Sequence, residues 1–362
     1  MNRFAFLLHP PSVDYFFLKF PWLRPVPPGW IEGAFRRVPP WVGSHITGIV
    51  SPTGAMAEGY FIILPWTPRL LLETPWPVTL ARLLAAGHLA ERAGAELFGL
   101  GAYTKIAGDR GVTLNERLRI PVTTGNSYTA ATAVEGALLG AQRMGLDPRS
   151  SAVTIIGATG AIGAACARVL TGQVAALRLV ARDAGRLEAL REEISGTGMA
   201  VSVEPDLQQA VRRAEIVLCV SSAIEGIVDP RDFSPGAVVC DVARPRNVSR
   251  ALAGVRDDVL VVDGGVIAVP GEHADLGMNF GFPPGTVEAC IAETMILALE
   301  GRWEAFTLGQ QISAAKVMEI AALGRKHGFR LAGFRRFERA IPDTEIDQIA
   351  ARAARTRRTQ SA

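Results

Sequence analysis

The stretch Val153 to Gly163, Val-Thr-Ile-Ile-Gly-Ala-Thr-Gly-Ala-Ile-Gly, constrains this chain more than any other. Val153 to Ile156 are apolar or β-branched and read as a buried strand. Gly157, Gly160 and Gly163 follow at a spacing of three, and Ala164 to Leu170 then reads as a helix. A strand, a glycine turn and a helix N-terminus offer free backbone N–H groups and the positive end of a helix dipole, which together attract a pyrophosphate. A bare glycine spacing is a weak signal, but its place between a strand and a helix makes it a strong one for a dinucleotide. Gly157, Ala158, Thr159, Gly160, Ala161, Ile162 and Gly163 are therefore the expected cradle.

The next apolar strand, Leu177 to Ala181, is followed by Arg182, where an NAD enzyme usually places an Asp or Glu on the ribose hydroxyls. An acid there repels a 2′-phosphate, whereas a guanidinium pairs with one. Arg186 lies one turn further on, and Asp183 beside Arg182 blurs the register. The expected cofactor is NADPH.

From residue 151 on, strands at 153–156, 177–181, 200–204, 215–220, 237–242 and 259–263 alternate with helical patterns, which predicts a Rossmann-type, doubly wound parallel sheet. Ligands of such sheets sit beyond the carboxyl ends of the strands. Position alone therefore nominates Ser221, Ser222, Asp241, Val242 and the Gly264–Gly265 pair, although strand ends also need turn residues for structural reasons. Before residue 120, two strand-like runs (Ile46 to Val50, Tyr60 to Leu64) and a helical pattern near Val78 to Leu97 suggest an α/β substrate domain. Thr123 to Ser127 is a turn and cap cluster, and Tyr128 to Met144 reads as a long helix whose Ala and Gly suit close packing. The fold class is thus α/β: an N-terminal α/β substrate domain (1–122), a connecting helix and hinge (123–150), the NADP(H)-binding domain (151–285) and C-terminal helices with a basic tail (286–362). After Gly271 the chain is expected to be helical through about Phe329.

Lys and Arg total 38 against 35 for Asp and Glu, so nothing points to nucleic acid. The four cysteines, 166, 219, 240 and 290, show no Cys-x-x-Cys spacing, which speaks for a reducing, cytoplasmic compartment and against a zinc site. The apolar run near the N-terminus is too short for a signal sequence, and no stretch reaches the ~18 apolar residues of a membrane span. Mean hydropathy is nevertheless +0.22, and aromatic residues crowd the first 66 positions. That surplus is expected to line a pocket or to make a peripheral membrane contact.

Cys290 follows Pro283-Pro284-Gly285-Thr286. With Thr286 as N-cap, it falls at about the fourth position of a helix, near the positive end of the dipole, where a thiol ionises more easily and becomes a nucleophile. Glu288 and Glu293 oppose that ionisation. A buried, inert cysteine is the alternative.

The run from the glycine loop to residue 329 resembles the long-chain acyl-[acyl-carrier-protein] reductases, aldehyde-forming enzymes of the cyanobacterial type. The resemblance rests on Gly157-Ala-Thr-Gly-x-Ile-Gly163, Thr124-Gly-Asn-Ser-Tyr-Thr129, Asp263-Gly-Gly-Val266, Glu288-Ala-Cys-x-Ala-Glu293 and Leu299-Glu-Gly301. It continues through Phe306, Gly309, Ile312, Met318 and Lys326-His-Gly-Phe329, with weaker matches at 46–60 and at Leu100-Gly-Ala-Tyr-Thr104. The resemblance implies that Cys290 carries the acyl group and that the glycine loop binds NADPH. It also implies acyl carrier protein or coenzyme A as the carrier of the substrate. Two departures stand out: Lys105 occupies the place of a small hydroxyl residue, and Asp241-Val-Ala-Arg-Pro-Arg-Asn247 replaces a glycine-containing loop. Lys105 is on that account a candidate polar group at the reacting centre. Ser221, Ser222 and Gly265 complete the expected cofactor contacts.

The implied chemistry needs an oxyanion donor. Backbone amides at the start of the Cys290 helix are the first candidates, with Ser221, Ser222 or Thr124 behind them. An acidic carrier would dock on Arg36, Arg37 or the later arginines. Two other enzymes share the domain order, a shikimate- or quinate-type dehydrogenase and a glutamyl-tRNA-reductase-like enzyme. A non-catalytic NADPH sensor is a further alternative.

Overall fold

The computed structural model describes residues 1–221, 228–243, 246–249, 255–279, 281–337 and 339–361. The chain forms two compact units: residues 1–125, 268–310 and 322–330 make the first, and 126–267, 311–321 and 331–362 the second.

The first unit is built on a five-stranded sheet in the order β2-β3-β1-β4-β5, with β1 Asn2–Leu8, β2 Trp41–Val50, β3 Met56–Ile63, β4 Phe98–Leu100 and β5 Val122–Thr123. Only β2 runs antiparallel to its neighbour. The apolar run at the chain start is thus the central strand β1, and its alternation divides two layers. Ala5 and Leu7 join Ile62, Leu64 and Phe98 in one core with Leu80, Leu83, Ala86 and Ala90 of helix α4 (Trp76–Arg92). Phe6 points the other way, edge-on to Phe61, toward the helix Ala289–Glu300, α10 below. A Cβ on Gly99 would overlap both Phe6 and Thr294 of that helix, so this glycine lets helix and sheet close up.

The helical pattern after Val78 ends at Arg92 rather than Leu97, because Gly94 turns the chain with φ +80° and Phe98 enters the sheet. Of the stretch expected to be helical after Gly271, the described residues of 271–288 are not, and helix begins only at Ala289. Gly271, Gly277 and Gly285 have positive φ, and residues 270–277 run along the edge of β2, pairing Thr47 with Asp275 through both backbone bonds. That pairing satisfies an otherwise open sheet edge.

The second unit holds six parallel strands in the order β11-β10-β9-β6-β7-β8. They are β6 Ala152–Ile156, β7 Ala176–Val180, β8 Ala200–Val203, β9 Ile216–Cys219, β10 Val238–Asp241 and β11 Leu260–Asp263. In sequence terms this is the 3-2-1-4-5-6 order of a doubly wound dinucleotide fold, with the order reversing between β6 and β9. Helix α6 (Asn126–Arg143) packs on this sheet through its small residues, and a Cβ on Gly140 would lie 2.8 Å from Val238. The basic C-terminus forms α12 (Asp343–Ser361). Among the described residues no helix is long and apolar enough to cross a membrane, and no group of three metal-ligating side chains is found.

Candidate functional site

The glycine loop lies at the reversal point of the parallel sheet. Gly157 has φ +89°, and a Cβ there would stand 2.8 Å from both the N and the Cα of Ser221 at the end of β9. A Cβ on Gly163 would lie 2.9 Å from Ala158 Cα and would overlap the carbonyl oxygen of Gly157. Two neighbouring strand ends and the first turn of α7 (Ala161–Leu170) are therefore drawn together in a way only glycine permits. Gly160 caps α7 without a side chain over its first turn, which leaves that end open toward a phosphate.

Asp183 does not compete for the ribose, because its Oδ1 accepts the Arg186 N–H at 3.0 Å and caps helix α8 (Ala184–Ile194). The Arg186 guanidinium reaches back to the Thr159 carbonyl at 2.7 Å, and Arg182 is exposed at the end of β7. Two cations thus flank the loop where an acid would select against a 2′-phosphate. Residues 244 and 245 of the 241–247 stretch lie outside the described residues, and the described ones on either side meet the end of β9. Asp241 accepts the amides of Ala243 (3.0 Å) and Val248 (2.9 Å), and Asn247 Oδ1 accepts the Ser221 N–H at 3.1 Å. The Asn247 Nδ2 is buried with no partner among the described residues, a donor beside the loop. Gly265 follows β11 with φ +84°. Ser222 lies outside the described residues. A glycine cradle, two arginines and a buried donor fit NADP(H), which is the cofactor of this chain.

Cys290 belongs to the first unit. Thr286 does not cap its helix: Thr286 Oγ1 donates to Pro283 O at 2.6 Å, and residues Thr286–Glu288 are extended. Helix α10 (Ala289–Glu300) starts after Glu288, so Cys290 is its second residue, two positions closer to the dipole's positive end than the sequence predicts. The expectation of a readily ionised thiol needs correction. Cys290 is only 6% exposed, and burial pushes its thiol up to about 11. The Lys105 charge works in the opposite direction, as does a backbone bond at Ile291, while Glu288 and Glu293 add to the rise. The other three cysteines are buried, and burial also raises Cys166, to about 12, and Cys219.

The loop after β5 crosses directly over Cys290. A Cβ on Gly125, where φ is +70°, would sit 2.5 Å from the Cβ and the carbonyl oxygen of Cys290. One turn along α10, the buried Glu293 accepts the Thr123 hydroxyl at 2.6 Å. The same hydroxyl accepts the Thr307 N–H at 3.2 Å. The Thr124 hydroxyl is taken up by Thr307 O at 3.1 Å, which removes it from the oxyanion candidates.

Lys105 ends a 3-10 turn, Ala102–Lys105, whose first residue has a left-handed φ of +44°. A residue missed from the sequence holds this turn. His9 Nε2 accepts the Tyr103 N–H at 3.0 Å, so its Nδ1 carries the proton and donates to Pro10 O at 3.0 Å. Burial lowers His9 to about 4 and keeps it neutral. The available signal was a His-Pro pair directly after an apolar strand. The Lys326-His-Gly-Phe329 segment is a tie rather than a reacting group: His327 bridges Ser51 Oγ (2.9 Å) and Glu300 (2.6 Å), and Ser51 Oγ is also held by Thr53. An open cleft of about 620 Å³ beside it is lined by Ser51, Pro52, Gly271, His273 and Arg330. Of the later arginines, Arg335 is buried and Arg336 is paired with Glu345, whereas Arg36 and Arg37 are exposed.

The shikimate / quinate 5-dehydrogenase family profile matches residues 139–263, which is the glycine-loop unit up to β11. An aminotransferase, PigE, from a Serratia species is 32% identical over 292 residues, 78% of this chain, but the chain spans only 33% of that protein. A shikimate dehydrogenase (NADP(+)) from Rubrobacter xylanophilus is 32% identical over 145 residues, 38% of this chain and 49% of that protein. A long-chain acyl-[acyl-carrier-protein] reductase from Synechococcus elongatus is 30% identical over 318 residues, 82% of this chain and 89% of that protein. With the likeness running through both units, the chain is an NADP(H)-dependent oxidoreductase that belongs to the long-chain acyl-[acyl-carrier-protein] reductase family.

Proposed function

We propose that this chain reduces a long-chain fatty acyl thioester to an aldehyde through an acyl-Cys290 intermediate. The observation that carries the reading is the setting of Cys290. It is the second residue of a helix, it lies under a glycine crossing, and the charge of Lys105 favours its thiolate. An inert core cysteine needs none of these. The likeness to the shikimate dehydrogenases supports the cofactor and not the substrate, because the family profile stops at residue 263, before Cys290.

The sulfur of Cys290 bonds to the acyl carbon as the bond from that carbon to the carrier sulfur breaks, and the thiol proton leaves with the carrier thiol. Because the free thiol is held protonated, Lys105 serves by stabilising negative charge on sulfur while the exchange takes place. The N-cap residue Glu288 makes no side-chain capping bond to the first turn of α10, and the amides of that turn are the donors for charge developing on the acyl oxygen. Gly157 to Gly163 with Arg182 and Arg186 would hold NADPH, which when bound would supply the hydride that reduces the acyl carbon. On release of the aldehyde the bond between carbon and Sγ breaks, and Sγ takes back a proton.

The test is a turnover assay with NADPH and long-chain thioesters of acyl carrier protein and of coenzyme A, with the aldehyde identified directly. Shikimate and quinate with NADP+ serve as the contrast. NADPH loss matched by aldehyde supports the proposal. Oxidation of shikimate with no thioester turnover sinks it.

A further inference from the structure

We infer that the aromatic helical pair at residues 14–37 docks this chain peripherally on an anionic phospholipid surface. Helices α1 (Asp14–Lys19) and α2 (Pro28–Phe35) are joined through a 3-10 turn, Pro21–Leu23. Their inner side is fixed. Phe16 and Ile31 are buried, and Phe16 stacks on Phe35 with centroids 4.0 Å apart. The buried Glu32 accepts Nε of Arg69 at 2.9 Å and the hydroxyl of Thr67, and the carbonyl of Arg36 accepts from Arg82 at 3.2 Å. Phe20 links Phe35 to Trp22, at 6.3 and 6.2 Å between centroids.

The outer side is unlike an ordinary surface. Trp22 is 71% exposed, Trp30 76% and Tyr15 53%. Single exposed apolar residues are common, but two bare tryptophans and a tyrosine on one short anchored element are not. Three of the six tryptophans in the chain fall between residues 22 and 41. Arg24, Arg36 and Arg37 are exposed among them. Asp14 and Glu32 are the acids of this segment, and Glu32 is turned inward and paired, so the exposed face is positive.

That mixture selects the occupant. Tryptophan and tyrosine rings seat at the headgroup level, and arginines there attract anionic lipid. Asp14 is the one exposed acid of the segment against three exposed arginines, so the face complements an anionic surface. Helices of six and eight residues cannot span a bilayer, so the contact lies in the plane of the surface. Vesicle binding requires neither thioester nor NADPH, so it stands or falls separately from the proposed reaction.

The experiment is flotation of the full chain with phosphatidylcholine vesicles, with and without phosphatidylglycerol, at low and high salt. The expected result is flotation with the anionic vesicles at low salt, weakened by salt. Each of Arg24→Gln, Arg36→Gln and Arg37→Gln should reduce the vesicle partition constant about fivefold. Trp22→Ser with Trp30→Ser should abolish flotation while the urea melt of the chain stays that of the parent, which shows that the first unit is still folded. Three results would overturn the inference. One is a chain that stays unbound with both vesicle types, and another is variants that float like the parent. The third is a tryptophan variant that dissociates a dimer in sedimentation without changing flotation, which would assign the face to a second copy.

Discussion

Gly125 and Cys290 are in direct backbone contact: the loop after β5 passes so close to the first turn of α10 that no side chain fits at position 125. Two independent conditions require the glycine, the left-handed φ of +70° and the approach to Cys290. Gly125→Ala should therefore cost about 2 kcal/mol or more, of which the backbone conformation alone accounts for ~1–2. Urea melts and the rate of Cys290 acylation would both register the change. A variant that matches the parent in both would show that the loop is free to move away.

Lys105 is the side-chain charge that favours the Cys290 thiolate, and Glu288 and Glu293 oppose it. The pH dependence of iodoacetamide alkylation should therefore place the parent thiol near 11, Lys105→Met higher and Glu293→Gln lower. At a fixed, mildly alkaline pH the Lys105→Met rate should drop severalfold, and Lys105→Arg should restore most of it. Identical profiles for parent and Lys105→Met would remove Lys105 from the reacting centre.

Cofactor choice should follow the two arginines beside the glycine loop. Arg182→Ala and Arg186→Ala are each expected to raise KM for NADPH by about tenfold, corresponding to ~1.4 kcal/mol of a charge-assisted contact, with little change for NADH. Steady-state kinetics with both nucleotides decides the point. An equal loss with NADH would mean that the arginines support the fold and do not read the 2′-phosphate.

His9 gives the first unit an acid-sensitive element. Burial depresses its folded value to about 4, below the ordinary 6.5, so the unfolded chain binds the proton more readily. The stability it contributes is complete above about 6.5 and is lost as the pH falls from there toward 4. The total is at most about 3.4 kcal/mol. Denaturant midpoints measured across that range should fall for the parent and fall less for His9→Gln, whose amide oxygen can still accept the Tyr103 N–H. Parallel slopes would contradict the assignment.

The six parallel strands were legible because strands covered on both faces are continuous apolar runs, and the glycine loop marks where they begin. Other features depend on pairings far apart in the chain. The apolar run at residues 2–8 is readable only as too short for a signal sequence until β3 and β4 are seen on either side of it. Thr286 has the chemistry of an N-cap, but its hydroxyl is taken by Pro283 O, and the start of the helix moves accordingly. The ambiguity between Arg182 and Asp183 was local, and it resolves once Asp183 is seen to cap α8. That Cys290 lies in the first turn of a helix was readable, but the burial that outweighs the helix dipole is a tertiary property.

The central claim is the acyl-enzyme, and intact-protein mass spectrometry tests it most directly. The chain is mixed with a long-chain acyl-carrier thioester in the absence of NADPH. The account predicts a mass gain of one acyl group that is absent in Cys290→Ser, and that converts to free aldehyde when NADPH is added. No adduct on a chain that still binds NADPH, or an adduct that persists in Cys290→Ser, would contradict it.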